Sequence, residues 1–110
     1  MKLRHAAALA LMGWYLMTPA INPSPGQTGT PAEVMRTGHF YVVPDAPLSK
    51  WEIQGSFDTA SDCEEAQTAL FKEGKRDRGR FKSGSWEWAW ANASLMALCI
   101  ATDDPRLTAK

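Results

Sequence analysis

The apolar positions of this chain change period from one stretch to the next, and each change marks an element. Ala6 to Met17 is an unbroken apolar run behind Lys2 and Arg4. Thr18 to Pro31 has few apolar positions and carries Pro19, Pro23, Pro25, Gly26, Gly29 and Pro31, which predicts an extended linker or long loop. Gly38 to Val43 (GHFYVV) predicts a short strand, ended by the turn-rich Pro44-Asp45-Ala46-Pro47. From Trp51 the pattern alternates: Trp51, Ile53 and Gly55 against Glu52, Gln54 and Ser56, the period of a half-buried strand.

The period then becomes helical. Ala60, Cys63, Gln67 and Leu70, with Ala66 and Phe71 beside them, form one face of a helix over Thr59–Glu73. Asp58 or Thr59 can cap it, Ser61-x-x-Glu64 offers a second capping box, and Asp62, Glu64 and Glu65 suit the positive end of its dipole. Gly74 reads as its C-terminal stop and Lys75 to Ser83 as a polar loop. Trp86, Trp90, Ala93 and Ala97 fit a helical stripe, while Trp86, Trp88 and Trp90 also fit strict alternation. The alanines between them favour helix, with Ser85 as its cap. Leu98-Cys99-Ile100-Ala101 reads as a strand, closed by Thr102-Asp103-Asp104-Pro105 because proline cannot continue a ladder. The expected fold is a small disulfide-stapled α+β domain of two or three short strands with two helices. In it the Cys99 strand lies beside the Trp51 strand and the Cys63 helix covers both.

The N-terminal run has the parts of a secretory signal: a basic start, about a dozen apolar residues, and small residues Thr18 and Ala20 at a possible cut. It is shorter than the ~20 residues that span a bilayer. Gly13-Trp14-Tyr15-Leu16-Met17, however, is aromatic and β-prone. Cleavage near Gly13 would leave Trp14–Met17 as the first strand of the mature domain. The expected organisation is a signal over 1–20, or 1–13; a Pro/Gly-rich linker and loop over 21–49; and an α+β domain over 50–110.

Export changes how the other features read. Loss of Lys2 and Arg4 would leave ten basic against twelve acidic residues, a balance that argues against nucleic acid as a partner. Cys63 and Cys99, the two cysteines of an exported chain this small, read as one disulfide, with two separate buried thiols as the alternative. No stable transmembrane span is expected after processing.

Gly13-Trp-Tyr-Leu-Met-Thr-Pro, Ala46-Pro-Leu-Ser-Lys-Trp51, Ser56-Phe-Asp-Thr-Ala60 with Cys63-Glu64, and Cys99-Ile-Ala-Thr-Asp-Asp-Pro-Arg-Leu107 together resemble a group of small, uncharacterised exported proteins of Gram-negative bacteria. These elements cover about a third of the chain. The resemblance implies that the Trp-Tyr-Leu-Met element follows the signal; it implies no activity.

The candidate chemistry is sparse. His39 is the histidine left after processing, and nothing around it matches a nucleophile elbow, so a hydrolase through His39 is the weakest reading. Asp103, Asp104 and Arg106 suit a turn better than a site, with Arg106 paired to Glu64, Asp62 or Asp58. Neither a cofactor motif nor metal-ligand spacing is present. Lys75, Arg76, Arg78, Arg80 and Lys82 carry a local net charge of +4 after Asp77. Beside Trp86, Trp88 and Trp90 they offer a surface for anionic envelope lipid or polysaccharide. The expected function is therefore a non-enzymatic exported protein, periplasmic in a Gram-negative cell, acting in the envelope or through interactions. The alternative is a binding module for anionic ligands through the basic loop and the tryptophans.

Overall fold

A computed structural model describes residues 13–108 as two small antiparallel sheets and three helices. The strands are β1 (Trp14–Thr18), β2 (Ala20–Pro23), β3 (Phe40–Val43), β4 (Glu52–Phe57) and β5 (Leu98–Ala101). The helices are α1 (Pro31–Thr37), α2 (Ala60–Arg78) and α3 (Trp86–Leu95), with short 3₁₀ turns at Leu48–Lys50 and Pro105–Leu107. The disulfide-stapled α+β domain expected from the sequence is what the chain forms. Most of the signal segment lies outside the described residues.

β1 is the centre of the larger sheet, whose order is β4-β1-β5. A short continuous apolar run suits a strand buried on both faces, and the five residues of β1 serve two cores. Leu16 joins Cys63 and Ala97 on one face, with Trp14, Phe57, Ala66, Leu70 and Cys99 packed around them. Met17 joins Leu48 and Ile100 on the other, flanked by Tyr15, Trp51 and Leu107. Helix α2 covers the first face, and the two 3₁₀ turns cover the second. Trp14–Met17 is thus a strand, the second of the two roles weighed for it. Because β1 lies between β4 and β5, the Cys99 strand does not lie beside the Trp51 strand, which corrects that expectation. The sulfurs meet nonetheless, since Cys99 pairs with Leu16 across the sheet directly under α2.

The alternation read over Trp51, Ile53 and Gly55 is broken by a bulge. Gly55 pairs with Leu16 but Ile53 pairs with Met17, leaving Gln54 as the extra residue of β4. A bulge moves the following residues to the other face. Ile53 and Gly55 therefore face opposite ways, and Ile53 stands 55% exposed on an edge strand. Gln54 Nε2 donates to Thr18 Oγ1 (2.9 Å), which ties the bulge to β1.

Thr59 caps α2 by accepting from Asp62 N–H (3.1 Å), and Cys63, one turn in, is fully buried. The helix does not stop at Gly74. It runs on to Arg78, since Lys75 to Arg78 are adequate helix formers and their cations favour a C-terminus. Gly74 is instead a packing residue: a Cβ there would lie 2.7 Å from the Ala91 carbonyl oxygen and 3.2 Å from Leu95 and Ser94. Small residues on both helices, with Ala89, Ala91, Ala93 and Ser94 buried on α3, let the two approach closely.

The segment 21–49, expected to be linker and loop, is structured. Pro19 turns the chain from β1 into β2, which pairs antiparallel with β3 so that Pro23 faces Phe40 and Ala20 faces Val43. The GHFYVV strand is present as Phe40–Val43. Thr30 caps α1 by accepting from Glu33 N–H (3.2 Å), and Pro31 opens the helix, where its missing N–H costs nothing. Phe40 is buried and meets Trp86 of α3 edge to face, centroids 5.4 Å apart. Among the described residues, no helix is long and apolar enough to cross a membrane.

Candidate functional site

Three segments meet in a cleft of about 220 Å³. The end of α1 contributes Arg36 and Thr37, the entry to β3 contributes Gly38 and His39, and the residues before α3 contribute Lys82 to Ser85. Polar ties hold the walls. Gln27 clamps the backbone of residue 39: its Nε2 donates to the carbonyls of His39 (2.9 Å) and Ser24 (3.0 Å), while its Oε1 accepts from His39 N–H (2.6 Å). Phe40 N–H donates to the Gly84 carbonyl (2.7 Å), joining β3 to the loop. Gly84 is required twice over. Its φ of +87° lies where side chains are strained, and a Cβ there would sit 2.6 Å from His39 Nδ1.

Arg36, His39 and Lys82 thus stand around one small opening with Ser83; Thr37 also lines it, but its hydroxyl donates to the Glu33 carbonyl (2.9 Å). Neither Arg36 nor Lys82 forms an ion pair with a described carboxylate, and none of the described acidic residues lines the cleft. Two cations without an acidic partner among the described residues, beside an imidazole and the Ser83 hydroxyl, suit an anionic group such as a phosphate, sulfate or carboxylate. Ser85, at the same opening, uses its Oγ to cap α3 by accepting from Trp88 N–H (3.2 Å), as the sequence led one to expect.

The basic and aromatic residues singled out in the sequence do not form one surface. Lys75 lies over the Phe71 ring (5.9 Å) and Arg80 over the Phe81 ring (5.7 Å). Arg76 Nε pairs with Asp77 Oδ1 at 3.0 Å and Arg80 reaches the same oxygen at 3.8 Å, so one carboxylate answers two of the cations. That contact holds the Arg76 guanidinium above its usual pKa. Arg78 is the last residue of α2. Of the five, only Lys82 reaches the cleft. Trp86 lines a groove with Phe40 and Met35, Trp90 lines a separate one with Leu16, Phe57 and Leu70, and Trp88 is half-buried between. Residues two apart on a helix project to nearly opposite sides, which parts Trp88 from the other two; Trp86 and Trp90 share a face one turn apart, and each meets a different sheet.

The sequence does not group Arg36 and His39 with Lys82: Arg36 follows a Pro/Gly-rich stretch that reads as linker and loop, and His39 opens the predicted GHFYVV strand, more than forty residues from Lys82. A local signal was there. Thr30-Pro31-Ala32-Glu33 combines a cap, a proline at the first helical position and an acid three residues on.

At the other end of the chain, Asp104 is the turn acid expected of it, accepting from Arg106 N–H at 2.9 Å. Arg106 turns back onto the same carboxylate (Nη2 to Oδ2, 2.8 Å) rather than reaching Glu64, Asp62 or Asp58, which corrects the expected pairing. Those hydrogen bonds hold the Asp104 carboxyl below its ordinary pKa. Among the described residues no three His, Cys, Asp or Glu side chains converge as a metal site would require. No family model, curated protein or solved structure matches the chain.

Proposed function

We propose that this chain is an exported, non-enzymatic envelope protein that holds anionic groups in the cleft between α1 and α3. The observation that carries this reading is the meeting of Arg36, His39 and Lys82 at one opening with no acid among the described residues that line it. The disulfide supports export, since such bonds persist in oxidising compartments. The N-terminal basic-apolar pattern supports it too, and a periplasmic location follows for a Gram-negative cell. The place of Trp14–Thr18 at the centre of a sheet favours a signal that ends before Trp14, because cleavage after Ala20 would remove that strand. Binding is favoured over hydrolysis through His39 because none of the described residues lining the cleft is a carboxylate that could orient that imidazole as a general base.

Titration of the full oxidised chain with inorganic phosphate, followed by amide chemical shifts, tests this. Shifts are expected at Arg36 to His39 and Lys82 to Ser85, with affinity falling as salt rises. Reversing both charges (Arg36→Glu with Lys82→Glu) should weaken binding at least tenfold. Sedimentation with phosphatidylglycerol vesicles extends the test to a lipid source of the same anion. No salt-sensitive binding, or binding that survives the double reversal, overturns the reading.

A further inference from the structure

The groove that Trp90 lines belongs to the stapled half and shares no lining residue with the cationic cleft. It measures about 360 Å³, within the range of small-molecule sites. Its shape follows from small residues on two elements. Ala66 and Ala69 of α2 leave space between that helix and β4. On the strand, the Phe57 ring folds back over Gly55, where a Cβ would lie 3.2 Å from it. Trp90 of α3 supplies a second aromatic wall. Gln54 Nε2 donates to Thr18 Oγ1 (2.9 Å), which steadies the β4 side.

Glu73 is the lining residue that packing does not explain. Ala66, Leu70 and Glu73 stand at i, i+4 and i+7 of α2, on one helical face. The third position carries a carboxylate where an apolar residue would extend the stripe. Among the described residues that line the groove, no other is charged. Glu73 forms no ion pair with a described residue. Arg76, on the next turn of α2, feels the Glu73 charge but gives its guanidinium to Asp77 (3.0 Å). An apolar groove with two aromatic walls and one exposed carboxylate is complementary, in charge and in surface, to an organic cation. Aromatic faces attract ammonium groups through their quadrupole, and the carboxylate adds a full opposite charge.

We infer that this groove binds a small organic cation, an ammonium or quaternary ammonium group carried on a compact apolar body. The cation faces Glu73 and the rings of Phe57 and Trp90, and the body lies over Leu16, Ala66 and Leu70. A neutral apolar ligand would fill the groove and leave the carboxylate unanswered. A bare cation would answer the carboxylate and leave the apolar floor uncovered. The inference stands apart from the anion reading of the cleft, and either can fail without the other.

Three probes, each titrated into the full oxidised chain, separate the contributions: benzyltrimethylammonium (body and charge), tetramethylammonium (charge alone) and benzyl alcohol (body alone). Amide shifts are expected at Phe57, Leu70, Glu73 and Trp90, and none at Arg36 to His39. Burial of the ring should make benzyltrimethylammonium bind roughly tenfold tighter than tetramethylammonium. The charge and the aromatic faces should make it bind about threefold tighter than benzyl alcohol. Glu73→Gln keeps the size of an exposed helical side chain, so its urea unfolding curve should match the parent's. It should remove most of the preference for the cation and leave benzyl alcohol unchanged. Equal binding of benzyltrimethylammonium and benzyl alcohol, or a preference that survives Glu73→Gln, overturns the inference and leaves an unselective apolar groove. If tetramethylammonium binds as tightly as benzyltrimethylammonium, or no probe shifts these residues, it fails as well.

Discussion

The two sheets of this molecule are held by different means. The β4-β1-β5 sheet has its central strand buried on both faces, α2 across one of them, and a covalent tie from that helix to β5. The β2–β3 pair buries Phe40 against Trp86 and is tied at its start by Gln27 on His39 and by the Phe40–Gly84 bond, whereas no residue of the helix beside it is buried. A small domain has little apolar surface to spend, and here much of it is gathered on the two faces of β1. The other half is free to present cations and an apolar groove. Sites on lightly packed segments carried by a rigid support are a common division of labour.

The most severe challenge to that division is removal of the staple. Cys63 and Cys99 are 36 residues apart, with Cα atoms 6.1 Å apart, within the range a disulfide spans. Replacing both by alanine should cost about 3–4 kcal/mol in urea unfolding, from the loop that the bond closes in the unfolded chain. If the halves are as distinct as they look, phosphate binding by the still-folded fraction is unchanged. A matching loss of affinity would show that the staple sets the cleft as well.

Gly74 sharpens the comparison, because it sits where the stapled half meets α3. Valine there would push against the backbone oxygen of Ala91, which cannot rotate away as a side chain can. Overpacking of this kind should destabilise by about 1–3 kcal/mol despite the gain in helix propensity. Since α3 carries Ser85 and Trp86, Gly74→Val should also shift amide resonances at the cleft. A variant as stable as the parent would mean that the helices separate without cost.

The same division explains what could be read from the sequence. The α2 and α3 helices, their Thr59 and Ser85 caps and the β5 strand were legible because each rests on local signals: spacing, capping chemistry and a terminating proline. The pairing of β1 with both neighbours was not, because nothing local tells Trp14–Thr18 that it will lie between strands some forty and eighty residues away. The bulge at Gln54 was hidden for a related reason, since it depends on the register with Met17 rather than on β4 alone. Gly74 looked like a stop because a glycine's need for close approach is invisible until the facing helix is placed. Of the site, Lys82 was found within a charge run. Arg36 has no signal of its own because the prolines and glycines around α1 suggest a linker, although the Thr30 cap marks a helix; His39 stands out in the sequence as a lone histidine, and nothing local joins it to Lys82.

The smallest expected effect concerns the charges at the stapled end, and it contrasts with those of the cleft. Arg106 donates to the Asp104 carboxylate from its side chain and from its backbone, and these bonds hold the folded-state pKa below the ordinary aspartate value. A depressed folded pKa means stability that is present above the unfolded pKa and lost as pH falls through the folded one. The pair is solvent-exposed, so the contribution is small and screened by salt. Melting temperatures measured from neutral to strongly acid pH should therefore show a slightly shallower acid limb for Asp104→Asn, and the difference from the parent should shrink in high salt. Arg36 and Lys82 have no such partner among the described residues, so salt should change what the cleft binds while leaving the stability of that half nearly as it was. An Asp104→Asn curve that overlays the parent at every pH would mean that Arg106 holds its turn without the charge, and the contrast between paired and unpaired cations would lose its energetic content.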